Sequence, residues 1–264
     1  MRFFFAGSDK EKFLAIIRKK QVNNLLFSYY WLGDKSLLKK MKEEGKDVFI
    51  DSGGYSARKQ GIEVNIKEYG WFLEDYKDYI FCAANLDVMD LKQSQENQEY
   101  LEKIYPVLPV YHMLEWQQKK YDLLEDMCQK YKYIALGGMA GMSVNQNEMI
   151  NFLNFCFQTI VKYNIKVHGF GISKVDLLVR YPFYSCDSTA WLVGGQYGTI
   201  VNWKKYKMDQ NTHVSRKGKF YEFKLPTKLT ENYIYRLEHN VEQFLQMEKD
   251  ITALWEKRGI LWKD

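Results

Sequence analysis

Short apolar runs alternate with amphipathic segments along the first 190 residues or so of the chain. Between the runs, apolar residues recur at helical spacing, as Phe13, Ile16 and Ile17 do in DKEKFLAIIRKK. Strands that alternate with helices predict parallel βαβ units, and about eight units predict a (β/α)8 TIM-type barrel of class α/β. An open doubly wound sheet is the alternative. The apolar runs are RFFFAG, NLLFSYYWL, DVFID, YIFCAANLDV, LPVYH, YIALGGM, KVHGFGI and FYSCDS.

The sequence changes character after about residue 200. The segment NWKKYKMDQNTHVSRKGKFYEFKLP is basic and polar, and we expect a loop region there. In the segment that follows, the apolar spacing of Ile234, Leu237, Val241 and Phe244 predicts one long C-terminal helix. Because no Pro-rich or Gly/Ser-rich linker interrupts the chain, we predict a single domain over residues 1–264. The barrel would occupy about 1–200, and the basic segment and helix about 201–264.

Carboxylates stand at the ends of three predicted strands, at Asp51, Asp87 and Asp187. In a parallel barrel the carboxyl ends of all strands meet on one face, and this face carries the active site. Partly buried carboxylates there can divide the chemistry, one ionised as a nucleophile and another protonated as an acid. For any one of them the alternative is a helix cap.

Two glycine pairs also follow predicted strands, Gly53-Gly54 and Gly137-Gly138. Glycine allows positive φ and close backbone approach, so a flat ligand can lie against such a turn. A tight turn without a ligand is the alternative. A GxGxxG fingerprint after a strand, a P-loop lysine and a GxSxG elbow are all missing from the sequence. No cofactor is therefore expected.

Composition narrows the class of protein. The formal charge of +5 and 16% aromatic residues are compatible with a polyanionic partner if the positive charge clusters. The four cysteines lack metal-ligand spacing, which predicts reduced, mostly buried thiols and no metal site. No signal peptide and no apolar stretch of membrane-spanning length is recognisable. We expect a cytoplasmic protein that does not bind membranes.

Three motifs in order, DSGGYS, IALGGM and CDSTAWL, resemble those of the tRNA-guanine transglycosylase superfamily. There the first reads DSGGFQ, the second is a GGL or GGM strand end, and the third is an aspartate-led segment. The resemblance spans about residues 3–198. The phrases FFFAG, LLFSYY, NLDV and LPVYH are more similar to the short phage and bacterial branch, the DNA-guanine transglycosylases of the DpdA type. That branch inserts 7-deazaguanines into DNA.

The resemblance implies a pentosyltransferase that exchanges guanine for a 7-deazaguanine such as preQ0 through a covalent Asp-glycosyl intermediate. Asp187 would be the nucleophile at C1′, and Asp51 the general acid/base. Asp87 would recognise the guanine edge. The other positions assigned to base binding lie at or just after strand ends: Tyr55, Asn85, His112, Gly137, Gly138, Met139 and His168.

The chain departs from the tRNA-acting members in two respects. It lacks their CxCxxC…H zinc site, and Ser56 stands where their motif has glutamine. DNA is therefore the expected substrate and tRNA the alternative. A non-catalytic nucleic-acid-binding barrel within a modification complex is a further alternative. A homodimer or a partner modification protein is compatible with either.

Basic residues predict two contacts with a nucleic-acid backbone. One is near the expected pocket, at Arg58 and Lys59. The other is interleaved with Trp203 and Tyr206 in the basic segment, and a solvated lysine-rich loop is its alternative. Its members are Lys204, Lys205, Lys207, Arg216, Lys217 and Lys219.

Overall fold

The structure is a computed structural model that describes residues 1–88, 90–139, 145–213 and 232–262, with backbone alone for 209–213. Contacts group the chain into two compact units. Unit 1 combines Met1–Val22 with Ile172–Asp264, and unit 2 is Asn23–Gly171. Unit 2 is therefore continuous in sequence, whereas unit 1 joins two distant parts of the chain.

The strands follow the predicted order along the chain. They are β1 (Arg2–Ala6), β2 (Asn24–Ser28), β3 (Asp47–Asp51), β4 (Cys82–Ala83), β5 (Val110–His112), β6 (Tyr133–Gly137), β7 (Lys166–Gly169), β8 (Ser185–Ser188), β9 (Thr199–Lys204) and β10 (Lys207–His213).

Helices separate these strands. They are α1 (Glu11–Lys19), α2 (Leu37–Glu43), α3 (Gly54–Lys59), α4 (Ile66–Tyr76), α5 (Leu91–Glu102), α6 (Met113–Gln117), α7 (Tyr121–Lys130), α8 (Gln146–Ile160), α9 (Val175–Arg180), α10 (Ala190–Gln196) and the C-terminal helix (Tyr233–Lys257). None of the helices described is long and apolar enough to cross a membrane.

Unit 2 is built on parallel pairing. Strand β2 pairs with β3, β3 with β4, β5 with β6 and β6 with β7. A parallel bridge between Ala84 and Leu108 joins the two groups. Leu108 N donates to Ala83 O at 2.7 Å, and Asn85 N donates to Leu108 O at 3.0 Å. Strands β2 to β7 therefore form one continuous run, and the predicted α/β class with parallel strands and intervening helices is confirmed.

Strand β4 is much shorter than the apolar run YIFCAANLDV predicts. After Ala83, side chains bond the backbone carbonyls of Ala84 and Leu86. Tyr69 Oη donates to Ala84 O at 2.8 Å, and Asn97 Nδ2 donates to Leu86 O at 2.8 Å. These bonds satisfy the backbone without a ladder, so the chain leaves the sheet early.

In unit 1, β1 pairs with β8 in parallel, with Phe4 opposite Asp187. Phe3 stacks on Phe244 of the C-terminal helix, with ring centroids 4.9 Å apart. Successive residues of a strand point to opposite faces, so Phe4 and Asp187 lie on the face away from this helix. The predicted C-terminal helix is confirmed.

The basic segment begins as an antiparallel hairpin, not as the loop expected from its composition. Strands β9 and β10 are joined at Tyr206, which has a φ of 68°. Side chains of the C-terminal helix form hydrogen bonds with β9. Val201 N donates to Asn240 Oδ1 at 2.9 Å, and Trp203 donates to Gln243 Oε1 at 2.8 Å and to Asp250 Oδ2 at 2.6 Å. Helix contacts therefore order residues whose own polarity suggested a loop.

Gly53 combines a left-handed backbone conformation with close packing. Its φ is 75°, and an added Cβ would lie 2.4 Å from Tyr30 Cβ and 2.5 Å from Ser28 Oγ. Gly61 has a φ of 71°, but nothing lies within 4 Å of its added Cβ. The two glycines therefore separate backbone strain from steric overlap.

We expect Gly61→Ala to lower the free energy of unfolding by about 1 kcal/mol, the cost of a left-handed alanine. Gly53→Ala carries the same strain plus overlap with Tyr30, so we expect a loss of roughly 2–4 kcal/mol. Urea denaturation of both variants measures this. Equal losses would show that the Tyr30 contact yields without cost.

Candidate functional site

Asp51 occupies the carboxyl end of β3. It lies two residues after Phe49 and so on the same face of the strand. That face points across unit 2, because the Phe49 ring lies 4.7 Å from the ring of His168 on β7. Gly53 N donates to Asp51 Oδ2 at 3.2 Å, and the chain then enters α3 at Gly54. The DSGG turn thus fixes a half-buried carboxylate at the strand end.

Glycines bring four neighbouring strand ends of unit 2 into contact. An added Cβ on Gly54, after β3, would lie 3.2 Å from Asp87 O, which follows β4. An added Cβ on Gly137, at the end of β6, would lie 2.7 Å from the His112 ring at the end of β5. These approaches are possible because neither residue has a side chain.

Three titratable side chains meet where these strand ends converge. His112 Nε2 lies 3.8 Å from Asp87 Oδ2, and His112 Nδ1 lies 3.4 Å from Glu115 Oε2. Glu115 Oε2 also accepts from His112 N at 2.5 Å and fixes the start of α6. We call Asp87, His112 and Glu115 the acidic–histidine cluster. Its imidazole is held between two carboxylates.

Burial and charge set the protonation of this cluster. Burial raises the pKa of Asp87 to about 6, although the charge of His112 and a hydrogen bond from Asn85 partly lower it. Burial also lowers the pKa of His112. The hydrogen bond to Glu115 and the charge of Asp87 outweigh that effect, so the pKa of His112 lies above its ordinary value. A protonated imidazole at His112 therefore favours the ionised form of Asp87, and an ionised Asp87 favours the protonated imidazole.

Hydrogen bonds made by Asn85 and by Ser94 of α5 fix the loop that carries Asp87. Asn85 Nδ2 donates to Asp87 Oδ1 at 2.8 Å and to Ser94 O at 3.0 Å. Ser94 Oγ accepts from Val88 N at 2.9 Å. Asn85 is 4% exposed, and among the described residues its Oδ1 has no hydrogen-bond partner. The loop is thus positioned by side chains that the structure buries.

Sequence reasoning missed three of these supports: Glu115, Ser94 and Asn97. Each carried a signal. Glu115 stands three residues after His112, the spacing of a capping box. Ser94 and Asn97 are three apart on α5 and both are buried, so they put polar groups on the inner face of a helix.

The other predicted base-binding positions differ in exposure. Met139 is buried, and Gly138 has a φ of 76°. His168 is fully buried, with its ring also 4.5 Å from that of Phe170, so it forms part of the core of unit 2. Tyr55 is 54% exposed on α3.

The predicted basic residues near Tyr55 lie on the same helix. Lys59 Nζ is 4.6 Å from the centre of the Tyr55 ring, and the Arg58 guanidinium is 5.8 Å from it. The charge of Arg58 also acts on His112, whose pKa it lowers slightly. Arg58 therefore lies near enough to the acidic–histidine cluster for its charge to act there.

Asp187 belongs to unit 1. It is 8% exposed on β8 and lies on the face away from the C-terminal helix. Downstream, Ser188 Oγ accepts from Ala190 N at 3.0 Å and bonds Ser173 Oγ at 3.2 Å. The carboxylate thus lies near the carboxyl end of a buried strand, as predicted.

The predicted backbone-binding lysines that the structure describes lie around the β9–β10 turn of unit 1. Lys204, Lys205 and Lys207 are all exposed, and Lys204 lies opposite Lys207 in the hairpin register. Trp203 is instead half-buried and bonded to Asp250. Arg216, Lys217 and Lys219 lie outside the described residues.

All four cysteines are free and buried, as predicted. The residues described contain no group of three or more His, Cys, Asp or Glu side chains placed to hold a metal ion.

Comparison with known proteins gives one weak likeness. No protein-family model matches the chain. The chain is 24% identical over 163 residues to uncharacterized protein 306 of Sulfolobus islandicus rod-shaped virus 1. The aligned region covers 58% of this chain and 52% of that protein. The chain thus spans about half the length of the curated relative it matches. The resemblance to guanine transglycosylases stays a prediction.

Asp87 should make stability depend on pH. Its pKa is about 6 in the folded protein against 3.8 for an aspartate side chain in water. The folded state therefore keeps the proton of Asp87 to a higher pH than the unfolded state does. The free energy of unfolding consequently falls as pH rises from about 4 through 6. We expect Asp87→Asn to raise the free energy of unfolding at pH 8 by about 1–2 kcal/mol, with a gain that vanishes near pH 4.

Urea denaturation between pH 4 and 8 measures this difference. Asp126→Asn, at an exposed carboxylate of α7, is the matched control and should show no such pH-dependent gain. A gain from Asp87→Asn that is equal at all pH values would contradict the burial of its charge.

Proposed function

We propose that the protein is a base-exchange glycosyltransferase that replaces guanine in DNA with a 7-deazaguanine base such as preQ0. The observation that most supports this function is the acidic–histidine cluster against the glycines of neighbouring strand ends. A carboxylate with a pKa of about 6 stands there beside backbone that lacks side chains. A flat base could lie against this glycine backbone and donate several N–H groups to the carboxylate.

The proposal includes the finer fold prediction, a closed (β/α)8 barrel. Two features support it. Strands β2 to β7 run without a break through the Ala84–Leu108 bridge, and β1 is parallel to β8. Parallel strands with helical connections are the units from which such barrels are made.

Asp87 would recognise the base. An ionised carboxylate accepts two hydrogen bonds side by side, which matches the N1–H and N2–H₂ groups of guanine and of 7-deazaguanines. Asn85 holds Oδ1 of this carboxylate, and protonated His112 stabilises its charge. Because neutral Asp87 accepts less well, base binding should weaken as pH falls below 6.

The chemistry resembles that of a retaining glycosidase, with two carboxylates and a covalent intermediate. An oxygen of Asp187 bonds to C1′, the C1′–N9 bond breaks, and its electron pair leaves with guanine, which takes a proton from Asp51. The incoming 7-deazaguanine then returns its N9 proton to Asp51 and displaces Asp187 from C1′. Water must be excluded throughout, since hydrolysis would leave an abasic site.

An exchange assay tests the function. We expect radiolabelled guanine or 7-deazaguanine to enter DNA when the protein is offered single-stranded DNA, duplex DNA and tRNA in parallel. Label that enters tRNA alone would replace DNA by tRNA as substrate. Nucleic-acid binding without any exchange would favour the non-catalytic barrel.

Variants of the two carboxylates test the mechanism. Asp187→Ala should abolish exchange, because no nucleophile remains to form the intermediate. Asp51→Asn should remove the base that accepts the N9 proton of the incoming 7-deazaguanine, so that a covalent DNA–protein adduct accumulates on denaturing gels. Exchange that survives Asp187→Ala would assign the nucleophile to another residue.

The hairpin lysines should contribute electrostatic affinity. We expect charge reversal at Lys204, Lys205 and Lys207 together to weaken DNA binding and to flatten its dependence on salt, because three phosphate contacts are lost. Anisotropy titrations at 50 and 200 mM salt measure both. The control is charge reversal at Lys39, Lys40 and Lys42 of α2. An equal loss in the control would mean that overall charge, not the hairpin, determines affinity.

A further inference from the structure

Two large aromatic rings are exposed near the DSGG turn. Trp31, just after β2, and Tyr55, on α3, are each 54% exposed. Burying such rings is strongly favourable, as at the fully buried Trp191, so their exposure leaves apolar area available for a partner. Together with Tyr30, Arg58 and Lys59 they make up what we call the stacking surface.

Tyr30 ties this surface to the DSGG turn. Its Oη donates to Gln60 Oε1 at 3.0 Å, directly after α3, and its Cβ fills the space that a side chain on Gly53 would need. Trp31 meets the Tyr30 ring edge to face at 4.8 Å, and its backbone N donates to Ser28 O at 3.0 Å. The exposed indole is therefore held in place before any partner arrives, which lowers the entropic cost of binding.

The charge of this surface selects an anionic partner. Lys59 Nζ and the Arg58 guanidinium both lie within 6 Å of the centre of the Tyr55 ring, and both residues are exposed. The surface, as defined by its five residues, has no acidic member. Aromatic faces interleaved with cations are the combination that binds unpaired nucleic acid, by stacking on bases and attraction of phosphates.

The surface also borders the place where a base would react. Helix α3 begins at Gly54, whose Cα lies against the Asp87 backbone, and the charge of Arg58 acts on His112. A nucleotide that enters such a site must leave its own stack, at a cost of a few kcal/mol. Rings that stack on its neighbours can offset that cost.

We propose that the stacking surface binds an unpaired strand of DNA next to the nucleotide that reacts. The bases of a duplex offer no free faces, so this surface takes single-stranded or locally opened DNA. The proposal rests on the proposed function in placing a reacting nucleotide at the cluster. Binding of the strand itself does not depend on base exchange.

Strand binding is measured with a fluorescent oligothymidylate, which contains no guanine and so cannot undergo the proposed exchange. We expect Trp31→Ala and Tyr55→Ala each to weaken its binding about tenfold, the effect of losing one stacked base. Trp31→Phe, which keeps an aromatic face, should recover most of the affinity. Binding of a blunt duplex should change much less in all three variants.

Trp71→Ala is the matched control, since Trp71 is 62% exposed on α4 and takes no part in the surface. It should bind oligothymidylate as the unaltered protein does. Unchanged binding by Trp31→Ala, or an equal loss in Trp71→Ala, would overturn the stacking surface even if base exchange is observed. Conversely, tenfold losses confined to Trp31 and Tyr55 would support it even if the exchange assay fails.

Discussion

Close backbone approach at glycine is the constraint on which the rest of the candidate site depends. Gly54 lets the turn after β3 reach the Asp87 backbone, and Gly137 lets β6 reach the His112 ring. A methyl group at Gly54 would press on the Asp87 carbonyl, and one at Gly137 would overlap the His112 ring. The absence of side chains at these positions therefore helps carboxylates and an imidazole from separate segments of unit 2 to act on each other.

The same closeness makes the site electrostatically costly. Asp87 loses much of its contact with water, and burial raises its pKa to about 6. A hydrogen bond from Asn85 and the charge of His112 offset part of this cost. Glu115 stabilises the protonated imidazole of His112. Unit 2 thus gives up stability to keep a carboxylate whose charge changes near neutral pH, a compromise common at functional sites.

Local pattern was enough to predict the strands, helices and strand-end carboxylates, because alternation and helical spacing are properties of neighbouring residues. Local pattern did not predict the elements whose length or conformation depends on contacts with residues far away in the sequence. The length of β4 depends on Tyr69 and Asn97, and the β9–β10 hairpin depends on Asn240, Gln243 and Asp250. Asp51, Asp87 and His112 could be named from the sequence. The ion pairing of His112 with both carboxylates could not, since it arises from three-dimensional packing.

The discontinuity of unit 1 has a consequence for biosynthesis. Its core joins β1 to the C-terminal helix, where Phe3 stacks on Phe244 and Phe3 N donates to Glu248 Oε1 at 2.9 Å. Those residues are synthesised more than 200 positions apart. The contacts of β1 with the C-terminal helix therefore cannot form until all of unit 2 has emerged from the ribosome. Unit 2 is formed by 149 consecutive residues, from Asn23 to Gly171. Contacts of such unequal sequence separation favour an order of folding in which the acidic–histidine cluster assembles first and unit 1 last.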